Sequence, residues 1–231
     1  MIRPETLKIL LVLTLYQNWV IRQWDVVAAS LQADLHYDIN VSDINEKEEI
    51  EYWKLNKALH ELKQAGHRWY KTLEKLLEIT GLKQCIGNEG TYISENRDII
   101  IGTHVDHLVG IAPQDKDLYS IEASCEKSVE LDKRGKPLRL LRMELTWKKD
   151  EVILTQKTLI ETMQQTHLPN ISDQIGNKTS LPSNMMNYEP MAEDEGDEPI
   201  EQKPCQSLIG GLLFVGRMTR PEISLYINLL G

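Results

Sequence analysis

The chain has 231 residues, 41% hydrophobic and 26% charged, with a formal net charge of −9. That length buries a core of one or two domains. That acidity excludes the uniformly basic surface of a dedicated nucleic-acid binder, but not an enzyme with a local basic groove. Cys85, Cys125 and Cys205 lack metal-ligand spacing and read as free thiols in a reducing compartment.

Pro4–Asn18 reads as a buried helix, with Pro4 in its first turn and Glu5 favourable beside it. Its apolar run, Ile9–Leu15, is far too short to span a bilayer, and no small-residue cleavage site follows. Val20–Val27 reads as a strand with Asp25 near its end. The acidic stretch Asp43–Glu51 reads as a loop, and Leu55–Thr80 as a long amphipathic helix that Gly66 breaks, with Gly81 as C-cap. Residues 90–111 read as two strands around Asn96-Arg97 followed by a hairpin with Asp106 at its tip. A helix is expected over Asp115–Leu131, a strand pair over Leu138–Trp147 and Val152–Thr155, and a helix over Leu159–Thr166. Asn184–Pro204, with its acidic run, reads as a solvated linker. Ser207–Met218 reads as a small-residue-rich helix, and Arg220-Pro221-Glu222 opens another.

Three constellations carry chemistry. Asp25 and Asp106 each sit at the end or tip of an expected strand within apolar surroundings. A sheet that joins them makes an oxygen-rich site for divalent cations; without that, both are turn residues. The run His104-Val105-Asp106-His107-Leu108-Val109-Gly110 resembles part of a metallo-β-lactamase-type zinc signature, but Gly102 stands where that signature has a further histidine. Lys63-Gln64 with His67-Arg68-Trp69-Tyr70-Lys71 interleaves basic and aromatic residues. Such a run either grips phosphates and stacks bases or forms the solvated face of an amphipathic helix.

In order, these segments resemble the reverse transcriptase of copia-type LTR retrotransposons. Residues 3–31, through Gln23-Trp24-Asp25-Val26-Val27-Ala28-Ala29-Ser30-Leu31, look like the family's helix and its Q-x-D-V-x-x-A-F-L strand. Residues 54–70, KLNKALHELKQAGHRWY, look like K-L-N-K-A-L-Y-G-L-K-Q-A-P-R-x-W-Y. His104-Val105-Asp106-His107 stands where the family has Y-V-D-D, and Leu140-Leu141-Arg142-Met143-Glu144-Leu145 where it has F-L-G-I-E-I. Residues 207–214 and 219–223 match S-L-I-G-S-L-L-Y and T-R-P-D-I.

The resemblance implies an α+β, palm-type polymerase fold: an antiparallel sheet with helices on one face, a partial thumb or connection, and largely missing fingers. Partial fingers and palm fall at 1–131, a palm-to-thumb, primer-grip-like region at 132–183, an acidic linker at 184–206, and the start of a connection at 207–231, before any RNase H domain. It implies RNA- or DNA-templated DNA synthesis with Mg²⁺ or Mn²⁺, a primer–template and dNTPs as substrates, other polyprotein parts as partners, and no membrane. The implied location is intracellular, in a cytoplasmic virus-like particle or the nucleus. Asp25 and Asp106 map onto metal-binding catalytic aspartates. Lys63, Gln64 and Arg68 map near template and incoming nucleotide, and Ser30 onto the aromatic that screens the sugar 2′ position.

Departures from the pattern imply a degenerate copy. His107 replaces the third catalytic aspartate, and imidazole is a poor Mg²⁺ ligand. Ser30 replaces the bulky aromatic, His104 the tyrosine, Gly66 a proline and Arg142 a glycine. The expectation is a reverse transcriptase domain with impaired or absent catalysis. The alternatives are a non-catalytic nucleic-acid-binding or assembly remnant and, third, a zinc hydrolase.

Overall fold

The computed structural model describes residues 1–32, 40–44, 50–57, 65–167 and 202–230. They form two compact units, Met1–Pro137 and Leu138–Gly231. Both mix helices with antiparallel strands, so the α+β class holds.

The first unit is organised by β1 (Val20–Val26), the next-to-edge strand of a six-stranded sheet. The sheet runs β4 (Lys83–Cys85), β5 (Asn88–Ile93), β6 (Ile100–His104), β7 (His107–Ala112), β1, β8 (Leu131–Gly135), with every pairing antiparallel. Strand residues alternate between faces. One face carries Trp24, Val26, Tyr92, Ile101, Leu108 and Ala112, which bury against α3 (Ala65–Ile79) and α4 (Asp115–Cys125). Trp69, Leu73, Leu76 and Leu77 supply the α3 stripe, and Leu118, Ile121 and Cys125 the α4 stripe. This spacing of three and four residues places each set on one side of its helix.

The other face is not bare, contrary to the expectation of helices on one side only. A Cβ at Gly102 would lie 2.4 Å from Ile2 Cδ1, and one at Gly90 only 1.9 Å from the Ile2 backbone nitrogen. Glycine at both positions lets the chain's first residues lie against the sheet, where the Ile2 N–H donates to the Thr103 carbonyl at 2.7 Å. Helix α1 (Pro4–Tyr16) follows and packs on β7, burying Leu7, Leu10 and Leu11.

Several local expectations are corrected. Part of the expected acidic loop is a hairpin, β2 (Asn40–Ile44) and β3 (Ile50–Lys54). Its β3 residues are exposed on both faces, so no apolar alternation marked it. Residues 55–57 are not helical, 58–64 lie outside the described residues, and α3 runs from Ala65 through Gly66. Gly81 ends that helix as expected: its φ is +86°, and the Leu82 N–H returns to the Leu77 carbonyl. Helix α4 stops at Cys125, and the end of the expected helix is β8 instead. A four-residue helix α2 (Ala29–Gln32) follows β1.

In the second unit β9 (Arg139–Leu140), β10 (Met143–Trp147) and β11 (Val152–Thr155) form a small sheet. Glu144 caps the following helix α5 (Lys157–His167), accepting from the Lys157 and Thr158 N–H groups. Helix α6 (Gln202–Met218) begins before the expected Ser207, inside the expected linker; most of that linker lies outside the described residues. A 3₁₀ turn, Pro221–Ile223, leads to α7 (Ser224–Leu230).

Candidate functional site

Asp25 is the penultimate residue of β1, and strand register places it opposite His107 of β7 and Asp132 of β8. The β6–β7 hairpin closes over two residues, Val105 and Asp106, with His104 paired to His107. Val105 has φ +58°, the left-handed region that costs a β-branched residue about 1–2 kcal/mol. The tip is held in that shape from two sides. The Trp69 indole N–H donates to the Val105 carbonyl at 2.7 Å, and the Val26 N–H to the Asp106 carbonyl at 2.8 Å. Trp69 is buried by this contact and by core packing, so it is not presented for stacking on a base.

The side chains then meet. His107 Nδ1 lies 2.7 Å from Asp25 Oδ1, and His107 Nε2 lies 3.8 Å from Asp106 Oδ1. Arg134, on β8, places Nη2 3.0 Å from Asp25 Oδ2 and Nε 2.8 Å from Asp132 Oδ2. The Gln23 amide also donates to Asp25 Oδ1, at 3.3 Å. Asp25 is the enclosed member, its side chain 15% exposed; Asp106, His107 and Arg134 are about half exposed at 43%, 45% and 55%. His104, beside the tip, is held below the ordinary imidazole range by burial first and then by the positive field of His107 and the chain's N-terminus.

Behind the strand, on its other face, Glu122 of α4 is 5% exposed and collects three partners. It accepts from Trp24 Nε1 at 2.7 Å and pairs with Lys133 at 2.9 Å and Arg22 at 3.8 Å. Burial alone would raise its pKa; the hydrogen bonds from Lys133 and Trp24 and the charges of Lys133 and Arg22 outweigh that and hold it below its ordinary value. Trp24 precedes Asp25, and Lys133 lies between Asp132 and Arg134. One buried carboxylate thus ties together β1 and β8, two of the strands that carry the cluster.

Asp25, Asp106 and His107 therefore lie together, with His107 between the two carboxylates. Ser30 lies on α2, shortly after β1, with only its backbone described. Lys63 and Gln64 lie outside the described residues, and Arg68 is half-buried on α3. Sequence reasoning missed Arg134 and Asp132, because β8 reads as a run of charges rather than as a strand. It also missed the reason for a glycine at position 142. Leu141 and Arg142 form the β9–β10 turn with φ +48° and +60°, a conformation glycine adopts without strain.

The arrangement does not fit a pair of divalent cations. Both Asp25 carboxylate oxygens are taken, one by His107 and one by Arg134. Among the described residues no group of three or more His, Cys, Asp or Glu side chains is placed to hold a metal ion. Zinc accepts the same ligand types, so the zinc reading meets the same obstacle.

The antiparallel sheet brings Asp25, near the end of β1, beside the hairpin tip that carries Asp106 and His107. The family profile described as reverse transcriptase (RNA-dependent DNA polymerase) matches residues 1–178, and the chain belongs to that family. It is 25% identical over 214 residues to the transposon Ty5-1 protein YCL074W of Saccharomyces cerevisiae, covering 89% of this chain and 67% of that protein. It is 24% identical over 238 residues to the retrovirus-related Pol polyprotein from transposon TNT 1-94 of Nicotiana tabacum, covering 96% and 18%. The Ty1-MR1 Gag-Pol polyprotein of Saccharomyces cerevisiae is 26% identical over 241 residues, covering 94% and 13%. The chain thus spans less than a fifth of the two polyproteins, and it is a reverse transcriptase domain of the copia type that the sequence motifs pointed to.

Proposed function

We propose that this domain has the palm-type architecture of its family and that its polymerase chemistry is impaired. The Asp25–His107 contact carries the reading. The side chain at the position of the family's third catalytic carboxylate hydrogen-bonds the first carboxylate instead of adding negative charge beside it. Reverse transcriptases use divalent metal ions, which clamp the attacking and leaving oxygens of phosphoryl transfer. In this reading Asp25 and Asp106 are what remains of that metal-holding set. Losing one directly metal-organising carboxylate costs several kcal/mol of transition-state stabilisation, or on the order of 10³-fold in rate.

The remaining assignments follow the same reading. The six-stranded sheet with α3 and α4 is the palm, and its last strand, β8, opens the segment 132–183 that leads toward a thumb. The helix that starts at Gln202 begins a connection in this reading. By family resemblance Ser30, Lys63, Gln64 and Arg68 are assigned to contact with nucleotide and template. The partners are primer–template, dNTPs and other parts of a retrotransposon polyprotein, in an intracellular particle or nucleus. Among the described residues no helix is long and apolar enough to cross a membrane.

One experiment tests impairment and template binding together. A labelled RNA–DNA primer–template is offered at rising salt, and retention and extension are measured together with Mg²⁺ and then Mn²⁺. Retention that falls with salt, without extension, is expected. Robust extension overturns the impairment, and no retention at low salt overturns the template-binding reading.

A further inference from the structure

We propose that Arg134 is a second barrier to divalent-cation binding at Asp25, separate from the loss of a carboxylate at position 107. This rests on the reading of Asp25 and Asp106 as the family's metal-holding carboxylates. The two barriers occupy different atoms. His107 takes Asp25 Oδ1, and Arg134 takes Oδ2. Restoring an aspartate at 107 removes the imidazole from the first oxygen, which keeps the Gln23 amide, and leaves the second in an ion pair.

The backbone places Arg134 there. Register between β1 and β8 runs Asp25 to Asp132 and Trp24 to Lys133, then jumps to Gln23 opposite Gly135. Arg134 is the extra residue of that irregularity, and Gly135, at φ +66°, follows it. A bulge of this kind re-aims a side chain. Lys133 reaches Glu122 on one face of the sheet, and Arg134 reaches Asp25 and Asp132 on the other.

Its chemistry makes the barrier permanent. A guanidinium stays charged at every working pH. Arg134 is also anchored, with Nε on Asp132 while Nη2 holds Asp25. A divalent ion arriving at Asp25 meets a fixed positive charge and must displace an ion pair that already satisfies the carboxylate.

The test is Mn²⁺ binding to the full chain, followed by electron paramagnetic resonance, with circular dichroism confirming that each variant folds. The proteins are the wild type, His107→Asp, His107→Asp/Arg134→Gln and His107→Asp/Arg134→Lys. Glutamine removes the charge from a half-exposed position, and lysine keeps the charge as a control. The Gln double variant is expected to bind at least about tenfold more tightly than His107→Asp, with the Lys double variant staying near His107→Asp. Equal affinity for His107→Asp and the Gln double variant overturns the role of Arg134 and leaves the metal-site reading intact. A gain by the Lys double variant as large as that of the Gln double variant also overturns the role of the Arg134 charge. No binding by any variant overturns the inference and that reading together.

Discussion

Asp25 and His107 are cross-strand partners, directly opposite in the β1–β7 register and joined by a 2.7 Å side-chain hydrogen bond. With Arg134 on the other oxygen, the enclosed carboxylate is satisfied from within the chain. Asp25, Asp132, His107 and Arg134 form a local ion-pair cluster. The cluster contributes modestly to stability, since most of its members are half exposed.

The first prediction concerns that cluster. His107→Asp removes a hydrogen-bond partner from Asp25 and adds a third acid beside Asp25 and Asp106. Without divalent cations the variant should be less stable by about 1 kcal/mol at low ionic strength, and salt should shrink the loss. Thermal melts at two salt concentrations measure it.

The buried carboxylate behind the site gives a larger effect. Glu122→Gln keeps an acceptor for Trp24 but leaves Lys133 and Arg22 without their buried counter-charge. The expected cost at neutral pH is about 1–3 kcal/mol. Because the folded pKa of Glu122 lies below the ordinary carboxylate value, its contribution is complete above that value and is lost as pH falls through the folded pKa. Denaturant titrations at neutral pH and in acid below the ordinary carboxylate range should therefore show the difference between wild type and Glu122→Gln narrowing in acid.

Turn geometry gives a stabilising prediction. Arg142 is exposed and held at φ +60°. Arg142→Gly relieves the left-handed strain but adds unfolded-state entropy, and the net gain should be about 0.5 kcal/mol. A rise in the denaturation midpoint with unchanged slope is the signature.

The two glycines under the first residues should respond unequally. At Gly102 an added methyl meets the flexible end of Ile2, which can turn aside. At Gly90 it meets the Met1–Ile2 backbone, which cannot move without leaving the sheet. Gly90→Ala should cost about 3 kcal/mol and Gly102→Ala about 1 kcal/mol, as judged by denaturant midpoints.

What could be read in the sequence follows from where burial writes a pattern. α1, β1 and the β6–β7 hairpin bury apolar runs such as Leu10-Leu11 and Leu108-Val109, so their positions were legible, whereas the grouping of Asp25, Asp106 and His107 was implied only by the family resemblance. β3 escaped notice because Tyr52 and Trp53 are exposed on its two faces, leaving no alternation to detect. β8 escaped for a different reason. Its Lys133 reaches toward a buried carboxylate rather than toward apolar surface, so a strand of the main sheet reads as a charged surface segment. Arg134 went unseen with it, because only pairing across the sheet brings position 134 beside position 25.

The measurement closest to the central claim is single-nucleotide addition to a labelled primer on an RNA template, by the wild-type chain, with Mg²⁺ and with Mn²⁺. Incorporation indistinguishable from a control without protein is the predicted result. Template-directed, processive synthesis by the wild-type chain would contradict it, showing that Asp25 gives up His107 and Arg134 to hold the metals after all.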